Sequence, residues 1–139
     1  MAVTIDIAYV GDLHTEAVHG PSGNRLLTDA PVDNGGKGEA FSPTDLVATA
    51  LGTCLVTVMG IVAQRHQLDM AGTRVRVVKD MTSAPLRRIG ALTATISVPS
   101  GARLSASDRA LLERTAHTCP VRQSLHPDVN VTMTFAYGE

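Results

Sequence analysis

The stretch SPTDLVATALGTCLVTVMGIVAQRH, residues 42–66, decides the fold. It opens as a helix start, because Ser42 can act as N-cap, Pro43 suits the first helical position and the Asp45 carboxylate can close a capping box. Residues 46–64 carry no charge, and a helix that is apolar on all sides belongs in the centre of a protein. The stretch therefore predicts one long central helix that ends near its last residue.

The same stretch is long enough to cross a bilayer, but its threonines and glycines lower its hydrophobicity. Gly52 and Gly60 each cost about 1 kcal/mol relative to alanine in a helix interior. Their presence predicts that another backbone or a second helix packs closely against this helix. We therefore expect a core helix, and no interaction with a membrane.

Outside this helix, alternating apolar and polar residues predict half-buried strands, and turn signals at residues 11–12 and 20–23 delimit two further short strands. The predicted strands cover residues 3–8, 14–18, 25–28, 73–79, 87–98 and 129–137. Residues 30–40 are too polar and glycine-rich for an element and predict a long loop. A second helix begins at Ser105 and is broken by Pro120. The expected fold is α+β: about six mostly antiparallel strands in a sheet, with the long helix and the broken helix on one side.

Length, charge and amino-acid composition exclude several classes of protein. A chain of 139 residues is the usual size of one domain, so we expect a single domain over residues 1–139. The net charge is −1, and the sequence has two Tyr, two Phe and no Trp, which argues against a nucleic-acid or anionic-membrane binder. The first ten residues contain Asp6 within their apolar run and predict a strand rather than a secretory signal. A cytoplasmic protein is expected.

The sequence has two cysteines, Cys54 and Cys119, and a structural disulfide is rare in a reducing compartment. Cys54 lies in mid-helix among apolar neighbours, which fits a small buried side chain. Cys119 directly precedes Pro120 at a helix restart, where free backbone N–H groups favour a thiolate. Each thiol is therefore either core filler or a reactive group.

Three segments together resemble a known family. The stretch FSPTDLVATALGTC, Phe41–Cys54, followed by Cys119-Pro120-Val121, and the preceding TDAPVDNGGKGE, Thr28–Glu39, are similar to the osmotically inducible protein C and organic hydroperoxide resistance (OsmC/Ohr) family, in its OsmC-like branch. The resemblance implies an intertwined homodimer in which the long helices form a shared core and two active sites lie at the interface.

The resemblance also implies a reaction. The helix cysteine, Cys54, would attack the O–O bond of an organic hydroperoxide and become a sulfenic acid, and Cys119 would condense with it to a disulfide. An external dithiol, such as a lipoylated protein, would then reduce that disulfide. The alternative function is a non-enzymatic redox-sensing or small-ligand-binding dimer. A purely structural interaction domain is a third.

The sequence departs from the hydroperoxide-resistance branch where an arginine of the first turn and a glutamate after the helix-start proline activate the cysteine. Here the turn at residues 10–14 has no arginine, and Thr44 follows the proline. Arg25, His14 or a residue of the second subunit remain candidates for the positive group, while Asp45 is first of all a capping residue. The candidate catalytic residues are therefore Cys54, Cys119, Asp45 and Arg25.

Neither a metal nor another cofactor is expected. The five histidines show no HxxxH spacing. The glycines at 35, 36 and 38 lack the GxxxxGK[ST] pattern of a phosphate-binding loop.

Overall fold

The computed structural model describes residues 1–138 and divides into two compact units, Met1–Val47 and a second that begins at Ala48. In chain order the elements are β1 (Ile5–Gly11), β2 (His14–His19), β3 (Arg25–Asp29), α1 (Pro43–Arg65), β4 (Arg74–Thr82), β5 (Arg88–Val98), α2 (Ala106–Ala116), α3 (Pro120–Ser124) and β6 (Asn130–Tyr137). Single 3-10 turns cover Val32–Asn34 and Pro99–Arg103. This order of strands and helices confirms the predicted α+β class.

The first unit contains an antiparallel meander in the order β1-β2-β3. The register places Ile7 of β1 opposite Ala17, and Ala17 opposite Leu26, so one face carries an apolar row. The half-burial predicted for β1 is wrong for the isolated chain: Ile5 is 56% and Ile7 67% exposed. Alternation places apolar residues on one face, but within this chain that face of β1 stays open.

The second unit contains a sheet in the order β4-β5-β6. The predicted hairpin is confirmed, because β4 and β5 pair antiparallel from Arg74–Ser97 to Thr82–Arg88. β6 runs parallel to β5, and a parallel neighbour requires a crossover connection, here α2 and α3. The six predicted strands thus form two three-stranded sheets instead of one.

The core of the second unit lies between α1, β5 and α2. Its fully buried large side chains are Leu51, Leu55 and Met59 of α1, Leu92, Ile96 and Val98 of β5, and Leu112 of α2. Thr49, Thr53 and Thr57 form an exposed stripe on the opposite side of α1. Among the described residues α1 alone is long and apolar enough to cross a membrane; the core helix of a globular protein meets the same criteria.

Gly52 allows α1 to approach β4 closely. A Cβ atom at Gly52 would lie 2.8 Å from Cγ2 of Val77 and 3.4 Å from Cγ1 of Val75. This confirms the predicted close neighbour, which is the side-chain surface of a strand and not a second helix. At Gly60 a Cβ would meet no atom within 4 Å, so the residues 1–138 that the structure describes do not provide the expected neighbour there.

Capping boxes start both longer helices, as predicted. At α1 the Asp45 backbone N–H donates to Ser42 Oγ over 3.1 Å, and the Ser42 N–H donates to Asp45 Oδ2 over 2.9 Å. Ser105 and Asp108 repeat the arrangement at α2. Both helix starts follow from local hydrogen-bonding chemistry.

Candidate active site

The second unit brings its two cysteines together. Cys54 lies half-buried on α1, Cys119 is fully buried at the start of α3, and both are free thiols. The thiol of Cys119 donates a hydrogen bond to the sulfur of Cys54. The folded chain thus pairs two residues that are far apart in sequence.

The corner between α2 and α3 holds Cys119 in place. Its backbone N–H donates to the Ala116 carbonyl over 3.2 Å, and its own carbonyl accepts from Gln123 N–H over 3.1 Å. Pro120 occupies the first position of α3, where its missing N–H costs nothing. The Cys119 sulfur is the N-cap acceptor of this short helix and receives the Arg122 N–H over 3.4 Å. The predicted placement of Cys119 beside free backbone N–H groups is confirmed.

Burial raises the pKa of the Cys119 thiol, and the hydrogen bond that it donates to Cys54 raises it further. The Arg122 N–H opposes this shift, because it favours the thiolate. Cys119 therefore stays a protonated donor near neutral pH. The pair is therefore asymmetric: Cys119 is the buried hydrogen-bond donor, and Cys54 is the more accessible sulfur.

The first unit holds the other two candidate residues. Asp45 forms the capping box of α1, as expected of it. Arg25 is mostly exposed and forms an ion pair with Glu16 across β2 and β3. Arg25 and Glu16 line an open surface pocket of about 250 Å³ together with Asp6, Ile7, Ala8 and Val18. The activating roles of Asp45 and Arg25 stay predictions.

Sequence reasoning missed a second cluster in the first unit. His14, Asp29 and Glu39 come from the start of β2, the end of β3 and the loop before α1. Nε2 of His14 lies 3.4 Å from Asp29 Oδ2 and 3.3 Å from Glu39 Oε1. No spacing rule reveals this cluster, because its members meet only through strand pairing and loop folding.

Comparison with known proteins places the chain in a family. A family model described as OsmC-like protein matches residues 36–134. Comparison with curated proteins finds no match. A solved structure from Psychrobacter arcticus 273-4, provisionally described as an osmotic stress induced and detoxification response protein, is 43% identical. The match covers 97% of this chain and 96% of that one, with a TM-score of 0.90.

Two more distant structures share the fold. The organic hydroperoxide resistance protein OsmC of Legionella pneumophila is 15% identical, with a TM-score of 0.78 over 98% of this chain and 97% of that one. OhrB of Bacillus subtilis, an organic hydroperoxide resistance protein, is also 15% identical, with a TM-score of 0.69 over 97% and 98%. The family model and the Psychrobacter structure together establish that the chain belongs to the OsmC-like protein family.

Proposed function

We propose that this protein is a cytoplasmic thiol peroxidase that reduces organic hydroperoxides to alcohols. The observation that carries the proposal is the hydrogen-bonded pair of free thiols, Cys54 and Cys119, in the second unit. Two of the structures that share the fold are named organic hydroperoxide resistance proteins, which agrees with this chemistry.

The proposed reaction has three balanced steps. The Cys54 thiolate attacks one peroxide oxygen of ROOH, the O–O bond breaks, and the leaving alkoxide takes a proton to become ROH. The Cys54 sulfenic acid then condenses with the Cys119 thiol, which forms the disulfide and releases water. A dithiol, for which a lipoylated protein is the expected source, returns both cysteines to thiols and is itself oxidised to a disulfide.

The pair supports this division of roles. Cys54 is half-buried and accepts a hydrogen bond, as a nucleophilic sulfur requires. Cys119 is buried, protonated and already in contact, so a sulfenic acid on Cys54 meets a thiol before a second peroxide reaches it. Arg25 and Asp45 are the proposed activating residues, and His14 or a second subunit is the alternative source of positive charge.

A homodimer belongs to the same proposal. The meander of the first unit exposes apolar side chains on β1 and β3, among them Ile7 and Leu26. A small open sheet needs its apolar face covered to be stable in water. We propose that a second copy of the chain covers it.

The test is turnover of cumene hydroperoxide with dihydrolipoamide as reductant. We expect multiple turnovers from the native chain, none from Cys54→Ser, and a single equivalent of peroxide consumed by Cys119→Ser before Cys54 oxidises further. The matched control is Thr57→Ser on the exposed stripe of α1, which should retain full activity.

Two outcomes would redirect the assignment. Loss of thiol titre with oxidant, but without turnover, would favour the redox-sensing alternative. If neither thiol reacts with a stoichiometric amount of hydroperoxide, both cysteines would have a purely structural role.

A further inference from the structure

The His14–Asp29–Glu39 cluster lies apart from the thiols in sequence, and none of the three bond-making steps of the proposed peroxidase reaction takes place on its residues. The three candidate ligand atoms lie within 4.8 Å of one another. Their side chains differ in access: that of Asp29 is fully buried, that of His14 is 25% exposed and that of Glu39 is 60% exposed. The cluster therefore has a buried floor and an open side.

The imidazole of His14 is oriented as in a metal ligand. Its Nδ1 lies 2.6 Å from the carbonyl oxygen of Asp12, and because a carbonyl only accepts, Nδ1 must carry the proton. The neutral ring then directs the lone pair of Nε2 toward the two carboxylates. Metal-bound histidines almost always fix their second nitrogen in this way.

The Asp29 carboxylate has one oxygen with hydrogen-bond partners and one without. Its Oδ2 accepts backbone N–H groups of Lys37 over 3.2 Å and of Glu39 over 3.0 Å. Its Oδ1 is buried and has no hydrogen-bond partner among the described residues. A buried acceptor without a partner is costly, and a cation held against this carboxylate would remove that cost.

The spacing suits a small divalent ion. Two ligand atoms that each lie about 2.1 Å from a tetrahedral ion are about 3.4 Å apart. The His14–Asp29 and His14–Glu39 distances are 3.4 and 3.3 Å. The widest pair in the cluster is within 4.8 Å, so the largely exposed Glu39 side chain has to move closer to Asp29 when an ion binds. We propose that His14, Asp29 and Glu39 form a binding site for a divalent transition-metal ion such as Zn²⁺, with water in the fourth position.

The electrostatics of the cluster agree with a bound cation. The carboxylates of Asp29 and Glu39 place negative charge beside Nε2 of His14, which favours a cation at this position. Lys37 lies at the margin, where its Nζ pairs with Asp12 Oδ2 over 3.0 Å. This pairing offsets part of the repulsion that the lysine would exert on an ion.

The test is calorimetric titration with Zn²⁺ of the full chain carrying Cys54→Ser and Cys119→Ser, because free thiols would bind zinc themselves. We expect one ion per chain. Glu39→Gln and His14→Gln, each added to this background, should weaken binding at least about tenfold. The matched control is His126→Gln, which removes an exposed histidine paired with Asp128 over 3.8 Å and should leave affinity unchanged.

Circular dichroism is used to check that each variant folds. If His14→Gln does not fold, Glu39→Gln decides alone, because its side chain is largely exposed. Absence of zinc binding by the thiol-free chain would overturn the site. So would binding that survives Glu39→Gln unchanged, or that His126→Gln weakens as much. Peroxidase activity is not measured in any arm, so the two proposals fail or stand separately.

Discussion

The two thiols differ in burial and in hydrogen-bond role, and this difference governs their reactivity. Cys119 is inaccessible to solvent and is held protonated, whereas Cys54 is half-buried and accepts the hydrogen bond. Thiolates, and not thiols, react with alkylating reagents and peroxides.

Alkylation should therefore select Cys54. With limiting iodoacetamide near neutral pH we expect Cys54 to be modified first and Cys119 to remain free, and peptide mass spectrometry measures both. Cys119→Ser should still be modified at Cys54. Preferential labelling of Cys119 in the native chain would contradict the assigned roles.

The raised pKa of Cys119 also predicts how stability depends on pH. Near pH 9 the thiol of an unfolded chain begins to lose its proton while folded Cys119 keeps it, so the folded state binds more protons. Stability must then be greatest below this range and fall as pH rises. Urea unfolding of the reduced protein between pH 7 and 9.5 should show this decline, and Cys119→Ala should show a shallower one. An equal slope in the variant would contradict the prediction.

At the scale of elements, α1 packs closely against β4 because Gly52 has no side chain. A methyl group at Gly52 would come within 2.8 Å of Val77, whereas one at Gly60 meets open space in its own chain. The two glycines share a helix and differ in surroundings, so they form a matched pair.

Gly52→Ala should lower the free energy of unfolding by about 1 kcal/mol, because overpacking of about 1–3 kcal/mol exceeds the gain in helix propensity. Gly60→Ala should instead be neutral or raise it by up to about 1 kcal/mol. Chemical denaturation of both variants measures the difference. A stabilising Gly52→Ala would show that β4 yields easily and does not constrain α1.

The whole molecule is incomplete as a single chain if the meander has its proposed partner. We expect a dimer of about twice 14.6 kDa in sedimentation equilibrium. Ile7→Asp, in the apolar row of β1, should shift the population to monomer. Leu86→Asp is the control, because Leu86 is 76% exposed in the β4–β5 connection outside that face. A native monomer, or dissociation by Leu86→Asp alone, would contradict the proposed interface.

Features that depend on neighbouring residues could be predicted from the sequence. Features that depend on contacts between distant residues could not. The capping boxes at Ser42 and Ser105 are encoded within four residues, so both helix starts are as predicted. Alternation and turn signals located all six strands, but they contain no information on which strands pair, so the single expected sheet is in fact two. The pairing of Cys54 with Cys119 was implied by family resemblance. Neither a local sequence pattern nor the family resemblance indicated the His14 cluster.

The parallel pairing of β5 with β6 has a consequence during protein synthesis. The ribosome delivers Cys54 early, on α1, whereas Cys119 emerges only with the crossover that leads to β6. Until that crossover has left the ribosome, β5 lacks its second neighbour and Cys54 lacks the thiol beside it. If Cys54 and Cys119 have the proposed roles, a nascent chain that meets an oxidant in this interval lacks the thiol that would trap a Cys54 sulfenic acid before it becomes irreversible sulfinic acid. Oxidative stress should therefore damage nascent chains more readily than the completed, folded protein.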